Sequence, residues 1–175
     1  QQLYEGVDVK GSGTVGLITY LRTDSTRISE EAQSAAAEYI SATFGEEYKA
    51  VSEAKKTNSN KIQDAHEAIR PTDITRTPAA IKDSLSRDQF RLYQLIWKRF
   101  VASRMQPAVY ETISARINAG EYLFTAASSR LAFDGFMSVY TDPDEEKKEK
   151  NAAVRSLEAG TELALEKMDC LLYTS

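Results

Sequence analysis

The stretch Gly16-Leu17-Ile18-Thr19-Tyr20-Leu21-Arg22-Thr23-Asp24-Ser25, called here the Tyr20 segment, sets the expected organisation of the chain. Its first half is a short apolar run rich in strand-forming residues, and its second half contains residues that favour turns and helix caps. This pattern predicts a buried strand that runs out into a loop. Because side chains alternate along an extended chain, Tyr20 and Arg22 are expected to project from one face, with Leu21 opposite.

A phenol beside a guanidinium has a chemical interpretation as well as a structural one. A free phenol titrates near pH 10, so only about one tyrosine in a thousand is ionised at neutral pH. A fixed positive charge favours the phenolate and would also neutralise a phosphate under attack, and the arginine fork can hold two phosphate oxygens. Tyr20 and Arg22 are therefore candidates for a nucleophile and an anion clamp. Taken alone, such a pair is more often a half-buried strand aromatic and a surface charge.

A second polar stretch, Ala65-His66-Glu67-Ala68-Ile69-Arg70-Pro71-Thr72, is called here the His66 block. His66 is the only histidine of the chain, and an imidazole can donate to a phosphate oxygen or help to move a proton. Arg70 follows four residues later, on the same face if the block forms a helical turn. Glu67 is expected to orient the two basic groups. An isolated histidine, however, more often has a structural role.

The segments on either side of the Tyr20 segment have simpler patterns. Residues 1–5 predict the end of a helix that Gly6 closes, and residues 7–13 predict a glycine-rich connection. A longer helix is predicted after Ser29, which is a good N-cap, and it is expected to end at Gly45. Its apolar residues recur at helical spacing and are Ala32, Ala35, Ala36, Tyr39, Ile40 and Phe44. This stripe predicts close packing, not a binding face.

Two further helices are predicted in the middle of the chain. Thr77-Pro78 opens a short one, and Ser86 with Gln89 forms a capping box for a longer one that reaches about Met105. The apolar face of the longer helix comprises Phe90, Tyr93, Ile96, Trp97, Phe100 and Val101. Trp97 is expected in the core because its neighbours at helical spacing are apolar. The two consecutive helices also permit a helix-turn-helix interpretation.

Beyond Pro107 the apolar period changes from that of a helix to that of a strand. Apolar residues alternate with polar ones from residue 109 to 117, residues 118–121 predict a turn, and a second strand is expected over about 122–132. Leu163 and Leu165 alternate with glutamates and predict a last strand. The expected fold class is α+β: a mainly helical tyrosine domain over residues 1–103, then an antiparallel β domain over 104–175 with a charged loop at 142–153.

Composition excludes several classes of protein. The chain has 175 residues, 42% hydrophobic and 27% charged, with no apolar run long enough to span a bilayer. One cysteine and one histidine make an internal disulfide framework and a structural zinc site implausible. The net charge of −4 is uneven, since residues 61–110 carry 9 basic and 5 acidic side chains, a local charge of +4. Such a basic stretch can bind phosphates even in an acidic chain.

The Tyr20 segment closely resembles the active-site signature of the type IA DNA topoisomerases. The His66 block resembles the second signature of that family, and residues 92–103 resemble the helix that follows it. In this family the tyrosine attacks a DNA phosphate, and the resemblance implies an excised central portion of a longer bacterial, cytoplasmic enzyme. It also implies that the β half is part of the arched domain that opens the DNA gate. Residues 168–175 do not continue the family pattern.

The resemblance implies roles for individual residues. Tyr20 becomes the nucleophile and Arg22 its partner at the phosphate, while His66, Arg70, Thr23 and Glu67 contact or support single-stranded DNA. The family's Mg²⁺ site and a catalytic lysine lie in an N-terminal domain that this chain does not resemble. No metal, nucleotide or membrane partner is therefore expected within these residues.

Three alternatives stay open on the sequence. A tyrosine recombinase also forms a phosphotyrosine, but it needs a set of arginines and histidines that this chain lacks. A non-catalytic helix-turn-helix module would bind duplex DNA and would not need Tyr20. A decatenating enzyme or a reverse gyrase of the same family would contain the same signatures.

Overall fold

The computed structural model describes residues 1–50, 66–141 and 152–167, and this part is built from short helices and two two-stranded sheets. The helices and strands, in chain order, are α1 (Gln2–Glu5), β1 (Val7–Val9), β2 (Gly13–Val15), α2 (Glu30–Thr43), α3 (Pro78–Ile81), α4 (Arg87–Ala102), β3 (Val109–Ala119) and β4 (Tyr122–Phe133). Short 3₁₀ turns lie at Glu46–Tyr48, Lys82–Ser84, Gly135–Ser138 and Ala152–Ser156. The α+β class predicted from the sequence is confirmed.

Side-chain caps determine where the helices begin. Ser29 Oγ accepts a hydrogen bond from the backbone N–H of Ala32 at the start of α2. The capping box at α4 is complete, because Ser86 Oγ accepts from the N–H of Gln89 and the Gln89 side chain accepts from the N–H of Ser86. Thr77 caps α3 with one bond, because its hydroxyl accepts from the N–H of Ala80. These predicted N-caps are confirmed.

Helices α2 and α4 supply a large part of the core. The fully or nearly buried side chains of these two helices are Ala32, Ala36, Ile40, Tyr93, Trp97, Phe100 and Val101. Trp97 is 6% exposed, which confirms its predicted core position, and its indole N–H donates to the carbonyl of Ile74 at 2.9 Å. Tyr93 donates to the carbonyl of Arg76 at 2.7 Å, and burial raises the pKa of Tyr93, so it stays a neutral donor. Both bonds fix residues 74–76 against α4.

The described residues form two compact units. Those of Gln1–Val109 and Leu131–Glu146 make up the first, and those of Tyr110–Arg130 and Lys147–Ser175 make up the second. In the second unit, the paired strands β3 and β4 carry a cross-strand ion pair, with Arg130 Nη2 at 2.7 Å from Glu111 Oε2. No helix within the described ranges has the length and apolar character needed to cross a membrane. The predicted domain boundary at residue 103 stays a prediction.

Three details predicted from local pattern are wrong. The Tyr20 segment is not a strand, because β2 ends at Val15 and only Ile18 makes a bridge, to Pro71. Residues 7–13 are not a plain connection but a hairpin, since β1 and β2 pair antiparallel. The last strand does not form in residues 161–167, where Leu163 and Leu165 are exposed. The predicted charged loop at 142–153 falls almost entirely outside the described residues, and the residues 168–175 lie wholly outside them.

Candidate active site

The extended chain that leads to Tyr20 is held by the His66 block instead of by a sheet. The backbone N–H of Thr19 donates to the carbonyl of Arg70 at 2.9 Å, and the N–H of Thr72 donates to the carbonyl of Leu17 at 3.0 Å. The Thr19 hydroxyl donates to the carbonyl of Ala68 at 2.8 Å and accepts from the N–H of Arg70 at 2.9 Å. These bonds bring two stretches about fifty residues apart in sequence into one site.

Gly16 lets α1 pack directly against the Tyr20 segment. A Cβ atom at this position would lie 2.6 Å from the carbonyl oxygen of Tyr4, closer than real Cβ atoms approach an oxygen. The next residue, Leu17, donates its N–H to the carbonyl of Leu3 at 2.7 Å. The glycine at the start of the segment is therefore required for the approach that places Tyr4 beside Tyr20.

Replacement of Gly16 by alanine is expected to destabilise the chain by about 1–2 kcal/mol, because the new methyl group forces the backbone of α1 away. Chemical unfolding followed by the fluorescence of Trp97 measures this effect, since Trp97 is the only tryptophan and lies in the same unit. Ser12→Ala, at an exposed position in the turn of the neighbouring hairpin, is the matched control and should change stability by less than about 0.5 kcal/mol. Equal stability of Gly16→Ala and the wild type would contradict the close approach.

Tyr20 itself lies between two other rings and stays open to solvent. The Tyr20 residue is 51% exposed. The Tyr4 ring meets it edge to face at a centroid distance of 5.4 Å, and the His66 ring stacks on it at 5.8 Å with an interplanar angle of 26°. The structure thus brings together the predicted nucleophile and the only histidine. Two ring contacts flank the phenol ring while half of the residue stays exposed.

Arg22 contacts this cluster through a carboxylate. Its Nε lies 2.8 Å from Oδ2 of Asp24, and the same oxygen lies 3.9 Å from Nδ1 of His66. All three side chains are solvent-accessible, with exposed fractions of 60% for Arg22, 44% for Asp24 and 31% for His66. In the described part of the chain, the guanidinium of Arg22 is therefore paired with Asp24, not with the phenol that shares its predicted face. Thr23, between the two in sequence, is exposed.

Arg70 has a different environment from Arg22, because its side chain is only 14% exposed. Its Nε and Nη2 donate to the same carboxylate oxygen of Glu67 at 3.0 and 2.8 Å. It also donates to the carbonyl of Pro71 at 3.1 Å and to the Ser29 hydroxyl at 3.3 Å. Residues 66–71 are not helical, so the four-residue spacing does not put His66 and Arg70 on one helical face. Glu67 pairs with Arg70, and its expected role in orienting both basic groups stays a prediction.

A groove of about 830 Å³ lies on the side of Arg70 that faces α2. Its lining includes Glu31, Glu38 and Arg76 together with Arg70, but neither Tyr20 nor His66. Tyr20, which is 51% exposed, therefore does not lie in this groove.

The chain can now be compared with known proteins. A family model described as DNA topoisomerase matches residues 1–172. This chain belongs to the DNA topoisomerase family. The chain resembles the full-length topoisomerase I of Thermotoga maritima in structure, with a TM-score of 0.65 and 40% sequence identity. That match covers 85% of this chain and 25% of the Thermotoga chain, so the chain spans about a quarter of the length of this relative. The resemblance to bacterial topoisomerases is confirmed.

The described residues do not form a preassembled metal centre. They contain no group of three or more histidine, cysteine, aspartate or glutamate residues that could hold a metal ion. The carboxylates of the Tyr20 segment and the His66 block are engaged elsewhere, because Asp24 pairs with Arg22 and Glu67 pairs with Arg70. Mg²⁺ commonly binds through one or two carboxylates together with substrate phosphates, and in the described residues Asp24 and Glu67 are each paired with an arginine.

The sequence pattern does not point to two residues of the candidate site. The pattern marks Asp24 only as part of a turn-favouring stretch, yet its carboxylate pairs with Arg22 and lies 3.9 Å from His66 Nδ1. Tyr4 was assigned only to a helix end, yet its ring contacts Tyr20. The position of Asp24 two residues after Arg22 was the available signal for the first contact. No local signal pointed to Tyr4, because its contact depends on how α1 docks.

Proposed function

We propose that this topoisomerase chain supplies the nucleophile of a type IA reaction on single-stranded DNA, with Tyr20 attacking a backbone phosphate. The observation that supports this most is the half-exposed Tyr20 ring stacked on His66, with Arg22 in the same cluster through Asp24. Arg22 neutralises the attacked phosphate, and His66 contacts a phosphate oxygen or moves a proton.

The proposed reaction exchanges one phosphoester for another. The Tyr20 oxygen forms a bond to phosphorus while the bond from phosphorus to the 3′ oxygen of the preceding sugar breaks. The phenol proton is lost and the departing 3′ oxygen gains one, which leaves a 5′-phosphotyrosine and a free 3′-hydroxyl. Attack by that hydroxyl restores the DNA strand and the phenol. Because the ester energy is kept in the intermediate, no nucleotide needs to be hydrolysed.

The remaining assignments are parts of the same proposal. Passage of a second strand through the break would relax negatively supercoiled DNA in the full-length protein, where a separate region would hold any Mg²⁺. Thr23 is placed at the DNA surface because it is exposed between two site residues. Arg70 and Glu67 are placed beneath that surface, where their mutual ion pair supports the site. The 175 residues alone are expected to bind single-stranded DNA weakly, with strong salt dependence, and not to relax supercoils.

The experiment that tests the proposal uses the full-length protein and two versions of one single-stranded oligonucleotide. After denaturation, a label at the 3′ end should migrate with the protein, and a label at the 5′ end should be released. Mass spectrometry of the digested adduct should place the nucleotide on the peptide that contains Tyr20. The opposite label pattern would indicate a 3′-phosphotyrosine, and an adduct on another residue would also contradict the proposal.

Arg22→Lys is expected to lower the rate of DNA cleavage by about tenfold, because lysine keeps the charge but loses the planar fork that holds two oxygens. DNA affinity should change little, since one positive charge is retained. Single-turnover cleavage and fluorescence anisotropy measure the two quantities in the full-length protein. Arg116→Lys, on β3, serves as a control for the general effect of this substitution. Cleavage at the wild-type rate would make Arg22 an ordinary surface charge.

A further inference from the structure

Asp24 occupies the space between two basic side chains that are assigned to DNA phosphates. One of its carboxylate oxygens lies 2.8 Å from Arg22 Nε and 3.9 Å from His66 Nδ1. The His66 ring in turn stacks on the ring of Tyr20. A single anionic oxygen is therefore already present where the basic groups converge beside the nucleophile.

The local chain explains why this carboxylate stays in place. The next residue, Ser25, is only 7% exposed, and its hydroxyl accepts a hydrogen bond from the N–H of Arg27 at 3.2 Å. This buried residue anchors the backbone while the side chain of Asp24 remains at the surface. An aspartate has a short side chain, so little conformational freedom is lost when it pairs.

The pairing is nevertheless weak enough to be exchanged. The side chains of Arg22 and Asp24 are 60% and 44% exposed, and exposed ion pairs contribute about 0.2–1 kcal/mol. A phosphate presents the same kind of anionic oxygens as a carboxylate, and the guanidinium fork binds either group. Release of Arg22 from Asp24 would therefore cost little when a phosphate is available.

We propose that Asp24 is a stand-in for a DNA phosphate: it pairs with Arg22, next to His66 and Tyr20, in the DNA-free chain and is displaced by a backbone phosphate. The exchange sets a threshold for binding, because DNA must compete with an internal anion. It also keeps Arg22 from pairing with other anions. This inference rests on the proposed function, since it takes the displacing group to be a phosphate of single-stranded DNA.

The first test is a comparison of DNA affinity between Asp24→Asn and the wild type. Fluorescence anisotropy of the 175-residue chain with labelled oligothymidine of about 15 nucleotides, without divalent ions, gives the dissociation constants. Asp24→Asn should bind about twofold to fivefold more tightly, the scale of one exposed ion pair. Asp83→Asn, which removes an equal charge from an exposed turn, is the matched control. At about 0.1 M salt it should change affinity by less than about 1.5-fold, because screening limits distant charges.

A second measurement follows the imidazole of His66 by nuclear magnetic resonance. Its signals are unambiguous because His66 is the only histidine. Titration with inorganic phosphate should shift these signals at lower concentration in Asp24→Asn than in the wild type. In an Arg22→Ala background most of the tightening caused by Asp24→Asn should be lost, since contacting residues do not act additively.

Three results would overturn the exchange: weaker binding by Asp24→Asn, equal effects of Asp24→Asn and Asp83→Asn, or no binding by either the wild type or Asp24→Asn. The first would make Asp24 a support that orients Arg22 instead of a competitor. None of these results decides the proposed function, which depends on the adduct at Tyr20 in the full-length protein. The two hypotheses can therefore fail separately.

Discussion

Tyr20→Phe is expected to abolish formation of the covalent DNA adduct in the full-length protein, while the fold is unchanged. The substitution removes only the oxygen that would attack the phosphate. The edge contact with Tyr4 and the stacking on His66 involve the ring, which phenylalanine retains. A loss of more than about a thousandfold is expected, because no other group replaces a missing nucleophile.

The measurement is the yield of denaturation-resistant adduct with a 3′-labelled single-stranded oligonucleotide. Tyr4→Phe is the closest control, since it removes the hydroxyl from the neighbouring ring and keeps the ring contact. Tyr122→Phe, at a position that is 73% exposed in the second unit, controls for an unrelated tyrosine. Both should retain adduct formation. Adduct at the wild-type level in Tyr20→Phe would transfer the nucleophile to another residue and overturn the assignment.

The starts of helices are the part of the fold that local sequence predicts well. Ser29 and Ser86 satisfy backbone donors within their own first turns, so the chemistry of a cap is complete within four residues. The Tyr20 segment could not be predicted in the same way. Its composition favours a strand, but its partner is the His66 block about fifty residues away, and the two share a single bridge. Strand formation depends on such distant partners more than on propensity.

In the candidate site, too, contacts between residues distant in sequence could not be predicted from local pattern. The family resemblance, and not local spacing, predicts Tyr20 and His66 as members of one site; the structure places their rings in contact, and their roles stay a prediction. The spacing between His66 and Arg70 does not indicate a shared face, because a four-residue spacing puts two side chains on one face only in a helix. Asp24 was undervalued because aspartate after a strand is common in turns. Its role depends on the position of His66, which sequence alone does not fix.

Arg70→Ala is expected to destabilise the first unit by about 2–4 kcal/mol, because it leaves a poorly solvated carboxylate and a carbonyl without their donors. Glu67 would lose both bonds from the guanidinium, and its side chain is only 22% exposed. The Ser29 hydroxyl would also lose a donor at the start of α2. Arg22→Ala is the matched control, since it removes an exposed pair and should cost less than about 1 kcal/mol.

Urea unfolding followed by Trp97 fluorescence measures the stability of both variants, because the only tryptophan lies in the same unit as Arg22 and Arg70. DNA affinity is then measured on the same variants without urea, where each is folded. This measurement distinguishes an arginine that supports the site from one that contacts a DNA phosphate. If Arg70 supports the site from below, Arg70→Ala lowers stability strongly, and Arg70→Lys recovers only part of it because lysine lacks the fork. Unchanged stability with weaker DNA binding would instead make Arg70 a direct phosphate contact, and its pairing with Glu67 would then be one that DNA releases.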